Sequence, residues 1–316
     1  MGKKMKAAYY DEFGELNQIK VAAIEKPEPA EGEVLIKVEA AGVNPVDAAV
    51  ARGMLKDAIP EEFPVIPGWD VAGIIEERGY SARRFAKGDK VYAYARRPKI
   101  KHGTFAEYIS IPESYVAKCP DKLTMEEAGG VPLTGLTAYQ SLFDAGKIRG
   151  GETILILGAS GGVGSMAIQL ANWKGATVVG VAGSSNQDYM KELGADYTID
   201  YSKGDVGEAV DEIAPDGIDM IFHCSRGESL SQSHHRLKEG GRLISITNSD
   251  PKRRDDVYFQ YVFVEPNAVQ LEHLSELADS DALQVPVSKI FKLDDAQQAL
   301  KEIESLHTRG KTVIKP

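Results

Sequence analysis

Two hydrophobic periodicities divide the chain. Up to Asp121, short apolar or alternating runs recur at close spacing and are broken by Gly and Pro: Lys6–Tyr10, Val34–Ala40, Val71–Glu76, Lys90–Ala95 and Thr104–Ile111. Such runs predict short strands in an irregular β domain. Glu25–Gly32 is a turn-rich connector, and the stretch from Asp47 to Gly53 reads as helix. After Asp121 the character changes. Thr124 followed three residues later by Glu127 predicts a capped helix start, and Pro132–Leu142 continues as helix. From Thr153 strand and helix alternate. The strands are Thr153–Leu157, Thr177–Val181, Tyr197–Ile199, Asp219–Phe222 and Arg242–Ile246. The helices between them are Gly164–Trp173, Gln187–Leu193, Val206–Ile213 and Ser229–Lys238, with Gly194 and Gly240–Gly241 at helix C-termini. That alternation predicts parallel strands joined by right-handed crossovers. Beyond Thr247 come a solvated loop (Pro251–Asp256), a strand (Tyr258–Val264), helices at Gln270–Ser280 and Asp294–Leu306, and a closing strand at Lys311–Ile314.

The stretch Thr153–Trp173 organises the rest. An unbroken apolar strand leads into Gly158-Ala159-Ser160-Gly161-Gly162-Val163-Gly164 and then into a helix. Glycines let the backbone turn and let a pyrophosphate lie against bare N–H groups, and the helix N-terminus adds partial positive charge. Ala159, Ser160, Gly161, Gly162, Val163 and Gly164 are therefore the candidate pyrophosphate cradle. At the spacing of the dinucleotide fingerprint, Ala159 stands where the first glycine is expected.

Composition narrows the function classes. A length of 316 residues suggests two domains. A net charge of −10 disfavours nucleic acid or an anionic membrane as partner. No run approaches the length of a membrane span, and the basic N-terminus lacks the apolar core of a secretion signal. Met5 is a candidate natural start. Two cysteines, Cys119 and Cys224, suit a reducing cytoplasm.

Short motifs spread along the chain carry a resemblance. They are Ala41-Gly-Val-Asn-Pro-Val-Asp47, Pro67-Gly-Trp-Asp-Val-Ala-Gly73, Gly88–Tyr92, Gly103–Tyr108, Pro132–Tyr139, the glycine turn, Gly194-Ala-Asp196 and Arg309-Gly-Lys311. Together, in this order, they resemble the zinc-independent, quinone oxidoreductase-like branch of the medium-chain dehydrogenase/reductase superfamily. The resemblance implies an α/β fold with two parts. A GroES-like β-barrel catalytic domain would comprise residues 1–124 and 267–316, and a Rossmann domain residues 125–266, with the active site in the cleft. Zinc-bearing relatives place a cysteine near Asn44 and a Gly-His-Glu before the next strand. Here the matching stretches read Val43-Asn44 and Gly68-Trp69-Asp70, and no four-cysteine lobe is present. A new metal site from His223, Cys224, His234 and His235 is disfavoured, because adjacent helical residues diverge by about 100°.

The end of the second strand, where an NAD enzyme carries an acid for the ribose, reads Gly183-Ser184-Ser185-Asn186-Gln187, with no acid before Asp188. Its hydroxyls can donate to a phosphate, which favours NADPH over NADH; an ordinary polar turn is the alternative. The resemblance adds Tyr201 as a second phosphate contact. It also implies that Asn44 and Thr134 flank the nicotinamide as catalytic and cofactor residues, with Phe263 and Val264 on the other side. Lys311 reaches the cofactor or cleft in that reading, and Cys224, Ser225 and Ile246 complete the candidate contacts. Asn44 precedes a proline, which holds it extended with its amide free to point elsewhere. Relatives often carry a tyrosine where this chain has Ala49. Trp69, Tyr92 and Tyr94 are then candidate pocket walls, with aromatic core as the competing reading. His223 is a candidate proton donor or a structural residue. The basic loop Arg96–His102 either meets an anionic substrate or is simply solvated.

With neither zinc nor an evident acid, the fitting acceptors are already electrophilic: quinones, enals and enones. The leading expectation is an NADPH-dependent quinone or enone reductase. An enoyl-thioester reductase and a non-catalytic NADPH-binding redox sensor or structural protein are the alternatives. The apolar run Tyr258–Val264 suggests edge-to-edge pairing in a homodimer.

Overall fold

The computed structural model describes residues 2–305 and 308–316. The chain divides into two compact units. One contains the residues up to Leu133 together with Glu265–Ser280 and Val285–Pro316; the other contains Thr134–Val264 and Asp281–Gln284.

The first unit opens with β1 (Lys4–Tyr9) and β2 (Lys20–Glu25), an antiparallel pair. Then come β3 (Glu33–Val43), α1 (Pro45–Ala51), β4 (Asp70–Arg78), β5 (Lys90–Tyr94), β6 (Tyr108–Pro112), β7 (Val116–Lys118) and α2 (Met125–Gly130). α3 (Pro132–Tyr139) starts at the end of this unit; from Thr134 on, it and the π-helical turn that continues it (Gln140–Ala145) belong to the second unit. Thr124 caps α2 as its sequence predicts: its hydroxyl accepts from the Glu127 N–H, and the Glu127 carboxylate accepts from the Thr124 N–H at 2.8 Å.

The second unit contains β8 (Thr153–Leu157), α4 (Gly162–Trp173), β9 (Thr177–Ala182), α5 (Gln187–Glu192), β10 (Tyr197–Asp200), α6 (Val206–Ile213), β11 (Ile218–His223), α7 (Ser229–Ser233), β12 (Leu237–Ser245) and β13 (Tyr258–Tyr261). Among the described residues these strands form one parallel sheet in the order β10-β9-β8-β11-β12-β13. Its strands read as continuous apolar runs because both faces are covered. On one face Leu155, Leu157, Val179, Val181, Ile221 and Leu243 pack with Val206 and Val210 of α6. Ile154, Ile156 and Val178, which alternate with them, are also buried.

The chain then returns to the first unit as α8 (Ala268–Asp279), β14 (Val287–Lys292), α9 (Ala296–Glu304) and β15 (Lys311–Lys315). β15 pairs with β14 and, antiparallel, with β3, which extends the sheet β14-β15-β3-β4-β5-β7; β6 pairs with the other part of β3. The last segment of the chain is thus built into the sheet formed by its first third.

Several expectations need correction. The helix expected at Ser229–Lys238 ends at Ser233 and runs through a 3-10 turn to Arg236. Gly240–Gly241 do not cap it. They lie inside β12, where the register against β11 jumps from Leu237 to Arg242. The strand expected at Thr104–Ile111 begins at Tyr108, and that expected at Tyr258–Val264 ends at Tyr261. The helix expected at Asp294–Leu306 starts with a 3-10 turn and becomes regular at Ala296; Leu306 lies outside the described residues. β2, β7 and β14 were not legible. In β2 and β14 few side chains are buried, so neither shows an apolar face.

Candidate functional site

The candidate residues fall into two constellations, one in each unit. In the second unit β8 leads into the glycine turn. Gly158 has φ +86°, a conformation that side chains with a Cβ rarely adopt, and supplies the sharp turn one residue before the position the fingerprint assigns. Ala159 therefore need not turn. Its methyl is buried and lies over Gly180 of β9, where an added Cβ would stand 3.3 Å from it. Gly161 is extended at the N-cap of α4. At Gly164 a Cβ would lie 2.3 Å from the Gly158 carbonyl oxygen, so only glycine lets the helix start this close to the strand end. The first N–H groups of α4 have no intrahelical partner and carry the helix's positive end. This strand, turn and helix fit a dinucleotide pyrophosphate.

Beside the turn, β11 ends at His223. The Cys224 N–H donates to the Leu157 carbonyl at 3.0 Å, and its thiol donates to the same oxygen at 2.9 Å. Burial pushes that thiol up to about 12, so it is inert as a nucleophile. Ser225 stands against Gly158, and the Ile246 N–H donates to the His223 carbonyl. The His223 ring is buried between Ser245 and Thr247, with Nδ1 3.1 Å and 3.3 Å from their hydroxyl oxygens. Burial lowers its pKa, which favours the neutral, hydrogen-bonded ring. Thr134 of α3 and Val264 are buried, and Phe263 is partly exposed.

At the ribose end the sequence reading missed an acid. The strand order sets the end of β10 beside that of β9. There Asp200 accepts the hydroxyl of Ser184, the hydroxyl of Ser202 at 2.6 Å and the Ser202 N–H at 3.0 Å. The Ser184 hydroxyl, expected to donate to a phosphate, is already committed. Ser185 is exposed, and the Tyr201 hydroxyl stands 3.4 Å from where a Cβ on Gly183 would be. The missed signal was Asp200 itself, at the end of a strand whose neighbour could not be known from sequence.

In the first unit Asn44 is the N-cap of α1, with φ −131° and ψ 152° as its following proline requires. Its amide is not free. Lys311 Nζ donates to Asn44 Oδ1 at 2.5 Å and lies 3.8 Å from Asp70 Oδ2, while Asn44 Nδ2 donates to Asp70 Oδ2 at 2.8 Å. Asp70 Oδ1 accepts the Leu133 N–H at 2.6 Å, and Asp47 Oδ2 accepts the Asn44 N–H at 2.8 Å. All are enclosed: Asn44 is 1% exposed, Lys311 3% and Asp70 0%. Burial raises Asp47 to about 8 and Asp70 to about 6, the latter opposed by Lys311, and burial lowers Lys311. Lys311 is thus held beneath Asn44 rather than extended from the fold.

The aromatic residues take the core reading. Tyr92 is fully buried, and its hydroxyl donates to the Leu271 carbonyl of α8 at 2.5 Å and meets Ser275 at 2.8 Å. Trp69 and Tyr94 are buried edge to face, with centroids 6.1 Å apart. The basic loop is neutralised from within. Arg96 pairs with Glu265, Arg97 with Glu33 at 2.5 Å, and Lys99 and Lys101 share Glu62.

A family model for the alcohol dehydrogenase GroES-like domain matches residues 30–121, and one for zinc-binding dehydrogenases matches residues 193–314. The chloroplastic quinone-oxidoreductase homolog of Spinacia oleracea is 31% identical over 99% of each chain. The chain belongs to the quinone oxidoreductase-like branch of the medium-chain dehydrogenase/reductase family. The chloroplastic NADPH-dependent alkenal/one oxidoreductase of Arabidopsis thaliana is 32% identical over 99% of this chain and 80% of its own. The structure of the quinone oxidoreductase from Coxiella burnetii superposes with a TM-score of 0.88 at 31% identity, over 99% of this chain and 100% of that one. The expected fold, a Rossmann-like parallel sheet together with a GroES-like domain, is the family's fold.

The residues of this family member that stand where zinc relatives hold metal do not suit a cation. The carboxylate of Asp70 and the amide oxygen of Asn44 already face the Lys311 ammonium. Among the described residues no group of three or more His, Cys, Asp or Glu is placed to hold a metal ion. His234 and His235 stand edge to face, 5.6 Å between centroids, and His234 Nδ1 lies 3.0 Å from the Ser231 carbonyl.

Proposed function

We propose that this protein is a zinc-independent reductase that uses NADPH to deliver hydride to quinones or to the conjugated double bond of enals and enones. The reading rests above all on the glycine turn, where Gly158 and Gly164 clear the backbone at the positive end of α4. Relatives named quinone oxidoreductase and NADPH-dependent alkenal/one oxidoreductase, matched along nearly the whole chain, support the substrate class. The bound nucleotide would supply the hydride, and the protein's task is placement and exclusion of water. The cradle Ala159–Gly164 would hold the pyrophosphate, and Gly183–Ser185 with Tyr201 the adenosine ribose. Asn44 would meet the nicotinamide end with its amide fixed in one orientation, because Lys311 and Asp70 occupy its oxygen and one N–H. Thr134, Phe263, Val264 and Ile246 are the proposed remaining contacts.

Among the described residues the geometry commits no group to polarising a simple ketone, and acceptors with an already electrophilic carbon fit best. The paired charges of the loop Arg96–Lys101 give no reason to prefer an anionic thioester. Two unpaired cysteines suit a cytoplasmic location. Among the described residues β13 is paired on one side only, which suits a homodimer.

The test is titration of the purified protein with NADPH, followed by addition of 1,4-benzoquinone and, separately, an enone. Binding followed by rapid NADPH oxidation is the expected result. Binding without oxidation by either acceptor would favour the redox-sensor reading, and absence of binding would remove the cofactor site.

A further inference from the structure

The ribose end of the nucleotide site carries a carboxylate, and two of its hydroxyls are committed to it. Asp200 closes β10 next to Gly183 and Ser184, which follow β9 in the place where dinucleotide folds contact the adenosine ribose. Its carboxylate accepts the Ser184 hydroxyl and, at 2.6 Å, the Ser202 hydroxyl; the two hydroxyl oxygens lie 3.0 Å apart. A carboxylate only accepts, and each hydroxyl carries one proton. With both protons turned to Asp200, the serine oxygens are left with only acceptor capacity. A ribose 2′-hydroxyl can donate to them. A phosphate oxygen finds no proton there and meets the carboxylate charge behind. The serine hydroxyls hold Asp200 down to about 2, so the charge persists at working pH. Among the described residues a cation offsets it: Lys203 Nζ, 3.6 Å from Asp200 Oδ2, on a side chain 75% exposed.

We infer that Asp200, through Ser184 and Ser202, sets nucleotide selectivity in this chain: it lets the site accept NADH as well as NADPH, with Lys203 as the counterweight that keeps NADPH bound. The inference rests on the dinucleotide reading of the glycine turn and deepens it. Asp200 and Lys203 are selectivity residues and take no part in hydride transfer.

The experiment measures dissociation constants of NADPH and NADH by nucleotide fluorescence, for the wild-type chain and for Asp200→Asn and Lys203→Gln. Wild-type protein is expected to bind both. Asp200→Asn removes the charge and turns one acceptor into a donor. It should tighten NADPH relative to NADH by about tenfold, as expected for one unit charge removed from close to a phosphate. Lys203→Gln changes only an exposed side chain, so its fold is secure. It should weaken NADPH several-fold and leave NADH unchanged. An unchanged ratio in a folded Asp200→Asn variant that still binds both nucleotides overturns the inference and leaves the dinucleotide site standing. If Asp200→Asn does not fold, an unchanged ratio in Lys203→Gln overturns it. Wild-type protein that binds neither nucleotide overturns the site reading and the inference together.

Discussion

At position 47 a carboxylic acid lies in the protein interior, with one oxygen on the Asn44 N–H and the other without a partner. Burial raises its pKa to about 8, helped by nearby Asp70 and opposed by the Asn44 N–H and Lys311. The folded chain therefore keeps a proton that the unfolded chain has already released between about pH 4 and 8. Folding stability from this group is complete below that window and falls as pH rises through it. The midpoint of thermal unfolding should drop from pH 6 to pH 8.5. Asp47→Asn keeps an acceptor for the Asn44 N–H and does not titrate, so its midpoint should drop less. Calorimetric pH profiles of the two proteins check this: a wild-type midpoint that falls no more steeply than that of Asp47→Asn would mean that Asp47 is not protonated in the native state. The same interior explains why residue-by-residue reading went astray at Asn44 and Lys311. Both were recognised as site residues, but that they bond to each other depends on β15 pairing with β3, a contact between residues 267 positions apart.

Among the elements, β8, the glycine turn and α4 form the segment whose geometry is most constrained. A side chain at position 164 has no room, because its first carbon would stand 2.3 Å from the Gly158 carbonyl oxygen, a backbone atom that cannot rotate away. Gly164→Ala should therefore cost about 1–3 kcal/mol of stability, the usual range for overpacking, and weaken nucleotide binding at least tenfold by displacing the helix start. Denaturant unfolding and nucleotide titration check the two effects, and native-like values for both would mean that the turn has slack. This segment was legible because β8 and α4 carry strong periodicity and the turn is marked by its glycines. The same reading failed at Gly240–Gly241. There the glycines follow a helical pattern as a cap would, yet the strand partner β11 draws the segment into the sheet as a bulge.

At the scale of the molecule, the parallel sheet of the second unit ends at β13, which pairs with β12 along one side only among the described residues. Tyr258 and Tyr261 on it are partly exposed, as is Phe263 just beyond. If this edge joins two copies, sedimentation should give a dimer at micromolar protein, and Tyr261→Asp should shift it to monomer without lowering stability at high dilution. A wild-type chain that sediments as a monomer would rule out the homodimer.

The sequence by itself determined the alternating strand and helix of the nucleotide-binding unit, the position of its phosphate-binding turn and the family. Each of these depends on local periodicity or on glycines within a few residues of one another. Only the tertiary structure decided that Asp200 sits on the Ser184 loop, that Lys311 lies under Asn44, and that Tyr92 and the cations of the basic loop are turned inward to partners. Each of those arrangements is a contact between segments far apart in the chain. Strand order and pairing set which side chains meet, and neither is written in the pattern of any one segment.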